Sequence, residues 1–414
     1  MKFLIISDVY FPLKQPTAKI IERLTNNDNF SKDKFIIISR HKKQDVIKTS
    51  PNVINHIIPN NMSIKGQGFI RGIKVFFYKL INKFLSFFYP NNIYSAKDFY
   101  KCGQKILKKN KVDVIISVSG PFASQLAGAK LSKQFNIPFY SWYTDPLLFN
   151  VNYLKFSEKR LSKFENKWIR NATNVFMPNN YYEKYKKTLS FDKEKFIKVE
   201  LPCFFNNDEL TIINSTNPQN TIIHTGNFFN KFRDPKQLFV LLKKMSNTTN
   251  YSFVNYGTMD KKLKRLYNNK LPSNVEFLER IGGDTLLRVI GQASLLVIVD
   301  NEYGIQIPSK AFEYISTGKP ILLIYNNPES PTKALLDNYE YSILLKGDEE
   351  VNDEHISNIE NIIGKYIANG QVKDIIEKHE QYTSTYIFNL INYYIKKTSQ
   401  IRTSSQSSKS DKNK

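Results

Sequence analysis

Short apolar runs of strand length alternate with longer helical stretches along almost the whole chain, and that alternation limits the fold more than any other feature. The runs fall at 2–7, 35–39, 112–118, 139–143 and 174–177, and again at 221–224, 251–256, 275–278, 295–299 and 321–325. A run such as Leu295-Leu-Val-Ile-Val299 has no polar face to turn to water, so its strand must be covered on both sides. Strands of that kind separated by helices build parallel sheets with helices on both faces. Polar, turn-rich chain at 202–220, with Asn206-Asn-Asp208 and Asn214-Ser-Thr-Asn-Pro-Gln-Asn220, separates the two sets. The expected architecture is α/β, with two doubly wound parallel-sheet (Rossmann-like) domains over 1–205 and 206–385. A C-terminal helix at 386–402 is expected to pack back toward the first domain. The tail at 403–414 has no apolar residue and is expected to be disordered.

At 414 residues and 41% hydrophobic content the chain can bury two such cores. Its two cysteines, Cys102 and Cys203, lie far apart without neighbouring histidines, so neither a disulfide framework nor a zinc site is indicated. Met1-Lys-Phe-Leu-Ile-Ile-Ser-Asp8 lacks the long apolar core of a signal peptide and reads as a first strand. A reducing cytoplasm is the expected location.

The charge is unevenly placed. Residues 1–200 hold 35 Lys+Arg against 14 Asp+Glu, a net +21, while residues 201–414 hold the remaining 25 against 23, a net +2. A basic half implies a polyanionic neighbour, either nucleic acid or an anionic membrane surface. The stretch 69–89 bears on that choice. At helical spacing Arg71, Lys74, Lys79 and Lys83 fall within half the circumference, while Ile73, Phe77, Leu80, Phe84 and Phe88 cluster opposite. Four cations argue against a membrane span. Such a helix either packs on its own domain or lies on a membrane surface, and the sequence leaves both open.

The segment Gly304-Ile-Gln-Ile-Pro-Ser-Lys-Ala-Phe-Glu-Tyr-Ile-Ser-Thr-Gly-Lys-Pro320 lies between two strand-like runs, a loop feeding a helix that Gly318 stops. Free N–H groups at the helix start, near Ser309 as N-cap, favour an anion there, and Lys310 adds a mobile positive charge. Glu313 lies one turn further on the same face, where a carboxylate can accept from paired hydroxyls such as those of a ribose. An ordinary sheet-covering helix with a solvated Glu has the same pattern. Two other loops follow strands. Gly226 allows close approach of the backbone to a ligand, with Arg233 in reach of a phosphate. Asp284 is placed to cap a helix after the run at 275–278, beside space for a flat base.

Together these residues resemble the retaining nucleotide-sugar glycosyltransferases of family 4, which have the GT-B fold. The resemblance rests on His224-Thr-Gly-Asn followed by Arg233-Asp-Pro, on Asn255-Tyr-Gly257, on Asn274-Val-Glu-Phe-Leu278, and above all on Pro308-Ser-Lys-Ala-Phe-Glu-Tyr-Ile-Ser-Thr-Gly-Lys-Pro320. In the first half, Asp113-Val-Ile-Ile-Ser-Val-Ser-Gly-Pro-Phe-Ala-Ser124, Asp145-Pro146 and Glu165 before Asn171-Ala-Thr-Asn-Val-Phe-Met-Pro178 look like the family's acceptor domain. The resemblance implies a cleft between the two domains. It also implies Glu313 on the ribose, the backbone of Pro308, Ser309 and Lys310 with the side chain of Arg233 on the pyrophosphate, and Glu279, Arg280 and Ile281 flanking the base. Gly226, Asn227 and Gly257 complete the donor side, and Asp145 stands near the acceptor. No metal or other cofactor is required, and attack is from the front face with retention.

Three positions depart from the family pattern. Ile305 replaces a carboxylate often directed at the sugar, the stretch 11–17 carries no glycine, and Asn227 stands where an Arg is common. The implied function is a hexosyl transfer from a UDP or GDP sugar to a lipid-linked glycan acceptor in bacterial surface polysaccharide synthesis (capsule, O-antigen or exopolysaccharide). The enzyme would sit peripherally on the inner face of the cell membrane. A nucleotide-sugar epimerase of similar fold is the enzyme alternative. A basic nucleic-acid-binding or scaffold protein is the other, resting on charge alone, with no recognition helix, zinc pattern or aromatic-basic sheet motif beside it.

Overall fold

A computed structural model of the chain describes residues 1–10, 16–27, 30–41, 51–59, 95–120, 122–150, 153, 156–188, 193–267, 270–371 and 374–410. The chain forms two compact units, one of Met1–Pro202 with Ser384–Lys414 and one of Cys203–Thr383.

The first unit holds strands β1 (Lys2–Ile6), β2 (Lys34–His41), β3 (Val53–Pro59), β4 (Val114–Val118), β5 (Phe139–Trp142), β6 (Asn174–Met177) and β7 (Phe196–Lys198), ordered β3-β2-β1-β4-β5-β6-β7. Every pairing is parallel. Helices α1 (Pro16–Thr25), α2 (Ala96–Leu107), α3 (Ala123–Phe135), α4 (Glu158–Ile169) and α5 (Asn179–Thr188) alternate with them. β4 is buried at every position, as expected of a central strand covered on both faces. Phe3 stacks on Phe35 across β1 and β2 with ring centroids 5.2 Å apart, and Phe30 closes edge-on against both.

The second unit starts at α6 (Asn207–Asn214), whose capping box has Asn206 Oδ1 accepting from Glu209 N–H and Glu209 Oε2 accepting from Asn206 N–H. Stretch 202–220, read as connecting chain, therefore contains a helix. The sheet comprises β8 (Thr221–Thr225), β9 (Ser252–Tyr256), β10 (Val275–Leu278), β11 (Leu295–Val299), β12 (Ile321–Tyr325) and β13 (Ser342–Lys346), ordered β10-β9-β8-β11-β12-β13 and again parallel throughout. Helices α7 (Lys236–Met245), α8 (Lys261–Leu266), α9 (Asp284–Gln292), α10 (Ser309–Ile315), α11 (Pro331–Leu336), α12 (Asp353–Asn369) and α13 (Ile375–Lys378) complete it.

The last helix, α14 (Ser384–Ser410), belongs to the first unit. Ile387, Phe388, Ile391 and Ile395 lie on one face of it and are buried in the same core as Phe3, Ile5, Trp142 and Phe176. Residues 403–410, expected to be disordered, continue this helix. The chain beyond 370 has neither Gly nor Pro to stop it, and Ser, Gln and Lys tolerate a helix already nucleated upstream. The stretch 69–89, with Arg71, Lys74, Phe77, Lys79, Lys83 and Phe84, lies outside the described residues. Among the described residues no helix is long and apolar enough to cross a membrane.

Candidate functional site

In the second sheet the strand order runs backward from β8 to β10 on one side and forward from β11 to β13 on the other. Connections on the two sides leave in opposite directions, so the carboxyl ends of β8 and β11 flank the place where an open α/β sheet accepts a ligand. The residues there are packed in detail. Gly226 leaves β8 with φ 149° and donates its N–H to Tyr256 O at 3.0 Å. A Cβ on Gly226 would stand 2.7 Å from Lys310 Nζ, and one on Gly257 would stand 1.9 Å from Gly226 O. Gly257 is required by close approach to its neighbour's backbone, and Gly226 by its φ, with the Lys310 amine beside it. Asn227 fixes the pair by accepting at Oδ1 from Thr258 N–H at 3.0 Å.

Lys310 lies in the first turn of α10 and its side chain crosses to the end of β8. Its Nζ donates to Thr225 O at 2.8 Å and lies 3.0 Å from His224 Nε2. His224 is buried at the centre of the sheet, with Nδ1 2.6 Å from Asn255 Oδ1 on the neighbouring strand and its ring stacked on Phe228 at 4.3 Å. The carbonyl oxygen of Asn255 can only accept, so Nδ1 carries the proton and Nε2 offers its lone pair to the ammonium. Burial, then the adjacent Lys310 charge, push His224 well below its ordinary range and keep it neutral. Burial and Arg233 likewise pull Lys310 well down, with Glu313 acting in the opposite direction. Among the described residues the hydrogen-bond partners of Lys310 Nζ, His224 Nε2 and Thr225 O, are both neutral acceptors.

Arg233 supplies the second positive group. Its Nη2 donates to Asn301 Oδ1 at 2.6 Å, while among the described residues its buried Nε has no hydrogen-bond partner. Asp300, directly after β11, steadies this corner: it accepts from Ser330 Oγ and, at 2.8 Å, from Thr332 Oγ1. Burial raises its carboxyl against those hydroxyls. Tyr314 O–H meets Thr225 Oγ1 at 2.8 Å, so α10 is tied to β8 at two points one turn apart.

Glu313 is half-buried on α10, in the turn after Lys310. Ser309 is not the N-cap: Pro308 holds that position in extended geometry, and Ser309 is the first helical residue with no capping bond. The same one-residue shift occurs at α9, where Gly283 precedes the helix at φ 62° and Asp284 begins it. In both places a residue of fixed or permissive φ takes the pre-helical turn and pushes the polar residue inside. Because α10 has only seven residues, the positive charge of the site rests mainly on Lys310 and Arg233. Glu279 and Arg280 follow β10 exposed, and Ile281 is half-buried beside them.

In the first unit Asp145 follows β5 at the carboxyl edge, half-buried. Gly120, after the neighbouring β4, turns with φ 83°, and a Cβ on it would stand 3.0 Å from Asp145 Oδ2. Ser119 Oγ donates to Asp145 O at 2.8 Å and accepts Asp145 N–H at 3.1 Å, which locks this loop to the end of β4.

Four of the residues above had no role assigned from sequence: Asp300, Asn301, Asn255 and the imidazole of His224. The available signal was position. Asp300-Asn301 directly follows the most apolar run of the chain, and a polar pair at the carboxyl end of such a strand faces the ligand edge.

No protein-family model matches the chain, and no curated protein sequence matches it. Solved structures do. A lipopolysaccharide outer core galactosyltransferase, WaaB in its apo form, superposes with a TM-score of 0.55 at 14% identity over 96% of this chain and 100% of its own. The fold is GT-B. Anabaena HepE in complex with UDP and glucose gives a TM-score of 0.57 at 13% identity over 96% of this chain and 99% of its own. A UDP-N-acetylglucosamine 2-epimerase gives 0.54 at 11% identity over 94% and 93%. Likeness at these identities establishes the GT-B architecture, and activity has to be argued from the site.

Proposed function

We propose that this GT-B protein is a retaining glycosyltransferase, similar to family 4, that moves a hexose from a nucleoside diphosphate sugar to a lipid-linked glycan acceptor. The carrying observation is the ammonium of Lys310, held against Gly226 by a neutral imidazole and a carbonyl, with the unspent Nε–H of Arg233 close enough to shift its titration. Such a pair suits a diphosphate whose negative charge grows as the sugar leaves. Glu313 then accepts from the ribose hydroxyls, and the chain at Glu279, Arg280 and Ile281 flanks the base. The HepE complexes with UDP, with UDP and glucose, and with UDP-glucose favour uridine as the base to test first.

In the reaction the anomeric carbon–oxygen bond to the diphosphate breaks and a bond to the acceptor hydroxyl forms on the same face. The acceptor proton passes to the departing phosphate oxygen. Lys310 and Arg233 stabilise that oxygen without a metal, and Asp145 receives the acceptor. The basic first half, with the cations at 71–83, would face an anionic membrane on the inner side of the cell, where lipid-linked precursors of surface polysaccharide are built.

Titration calorimetry with UDP, GDP and uridine tests the site. Lys310→Met is expected to weaken UDP at least tenfold, about 1.4 kcal/mol or more, and to change uridine less than twofold. A nucleoside diphosphate affinity untouched by Lys310→Met and by Glu313→Ala sinks the assignment. The matches to UDP-N-acetylglucosamine 2-epimerase support a second reading that uses the same nucleotide site. Incubating the protein with UDP-N-acetylglucosamine alone separates the two, since an epimerase converts it without an acceptor.

A further inference from the structure

The carboxyl edge of the first sheet contains a buried acid that the transfer chemistry above does not use. Glu165, on α4, is fully buried, and its Oε1 accepts Tyr185 O–H at 2.7 Å and Leu147 N–H at 3.2 Å. Leu148 N–H goes to Tyr185 Oη at 3.2 Å. Tyr143, directly after β5, faces the same carboxyl and accepts Trp168 Nε1–H at 2.9 Å. Two successive amides of the loop that follows Asp145 therefore end on one carboxyl and its phenol. Asn150 Nδ2 closes the loop by donating to Pro146 O at 3.0 Å. Within it Phe149 sits at φ 61°, a conformation that persists in a bulky residue only where its surroundings impose it, and its ring meets Tyr185 edge-on at 5.9 Å.

We propose that Glu165 is a positioning residue: it clasps the loop of residues 145–150 and so fixes where Asp145 meets the acceptor. This rests on the reading of the first unit as the acceptor side. Burial lifts the Glu165 carboxyl to about 8, against the opposing pull of its bonds from Tyr185, Leu147, Tyr143 and Leu148. The groups that face it are the phenols of Tyr143, from the end of β5, and Tyr185, from α5, with the loop amides between; Trp168 reaches it through Tyr143. Below that pH the group is a neutral acid whose Oε1 accepts from Tyr185 and Leu147, while its buried Oε2 has no hydrogen-bond partner among the described residues. The stability that the buried neutral acid contributes is full below its ordinary value of 4.5 and is lost as pH rises to about 8, where the cost of a dry carboxylate offsets the bonds it accepts.

The full-length protein and its Glu165→Gln, Glu165→Ala and Tyr185→Phe variants are compared by three measurements between pH 6 and 9. These are amide exchange of Leu147 and Leu148 relative to intrinsic rates, UDP affinity, and transfer of labelled glucose from UDP-glucose into a bacterial membrane lipid extract. Glu165→Ala is expected to speed exchange of both amides at least tenfold and to cut transfer by a similar factor, with UDP affinity held within twofold. Glu165→Gln is expected to restore both and, with no acid to ionise, to lose less transfer than the wild type as pH rises from 6 to 8. Unchanged exchange in Glu165→Ala overturns the proposal, as does a Gln variant no better than Ala. If Glu165→Ala does not fold, Tyr185→Phe carries the same exchange test with the core volume kept. A wild type that binds no UDP and transfers no label defeats the functional reading itself, and the exchange result still decides the clasp.

Discussion

His224 shows how much one neutral side chain can arrange. Its two nitrogens are committed in opposite senses, donating to Asn255 and accepting from Lys310, and that order is possible only without a charge on the ring. The folded state therefore resists protonating it, whereas the unfolded chain takes up a proton near the ordinary value of 6.5. With the folded value depressed, the stability is present above 6.5 and is lost as pH falls below it. We expect the wild-type thermal midpoint to fall more steeply below pH 6.5 than that of His224→Gln; parallel curves for the two proteins would rule out a neutral buried His224. The same commitment explains why Lys310 can stand in a half-buried place with, among the described residues, no carboxylate hydrogen-bonded to it. An ammonium there is aligned before any ligand arrives, so little reorganisation is needed when a diphosphate binds.

At the scale of elements, the helix starts distinguish two serines. Ser309, the expected cap, begins α10 without a capping bond, so Ser309→Ala is expected to change stability by less than ~0.5 kcal/mol. Ser330 is the N-cap of α11, accepts from Thr332 N–H and Lys333 N–H, both at 3.1 Å, and donates to Asp300. Ser330→Ala is expected to cost about 1–3 kcal/mol, since it removes a cap and unsatisfies a buried carboxylate. Chemical denaturation of the two variants checks the order. The central strands were readable because burial on both faces leaves mostly apolar residues, as in β1, β4, β11 and β12, where Lys2, Ser117 and the terminal Tyr325 are the exceptions. The strands β3, β7 and β13 were not, and all three lie at sheet edges. An edge position admits Asn55 and His56 in β3 and half-exposed residues in β7 and β13, which blurs the run. Gly226, Arg233 and Lys310 could be picked out as a cluster because each is an unusual residue at a strand end. The polar partners that aim them, Asn255, Asn301 and Thr225, look like ordinary polar residues until the strands are side by side.

At the scale of the molecule, α14 carries more weight than its position at the end of the chain suggests. Phe388 is fully buried against Phe30 and Trp142, with centroids 6.2 and 6.3 Å away. Phe388→Ala is expected to destabilise the first unit by about 3–5 kcal/mol, and a chain ending at Thr383 to lose the melting transition of that unit while retaining that of the second. A truncated protein with both transitions intact would show the helix to be dispensable. The whole second unit, Cys203–Thr383, is thus an insertion between the body of the first unit and the helix that completes its core. On the ribosome the second unit is finished while the first still lacks four large apolar side chains, Ile387, Phe388, Ile391 and Ile395. An apolar groove then stays uncovered for the time taken to translate some 180 residues, on the order of ten to forty seconds at the usual rates of synthesis. During that interval the nascent first unit exposes apolar surface of the kind that promotes aggregation.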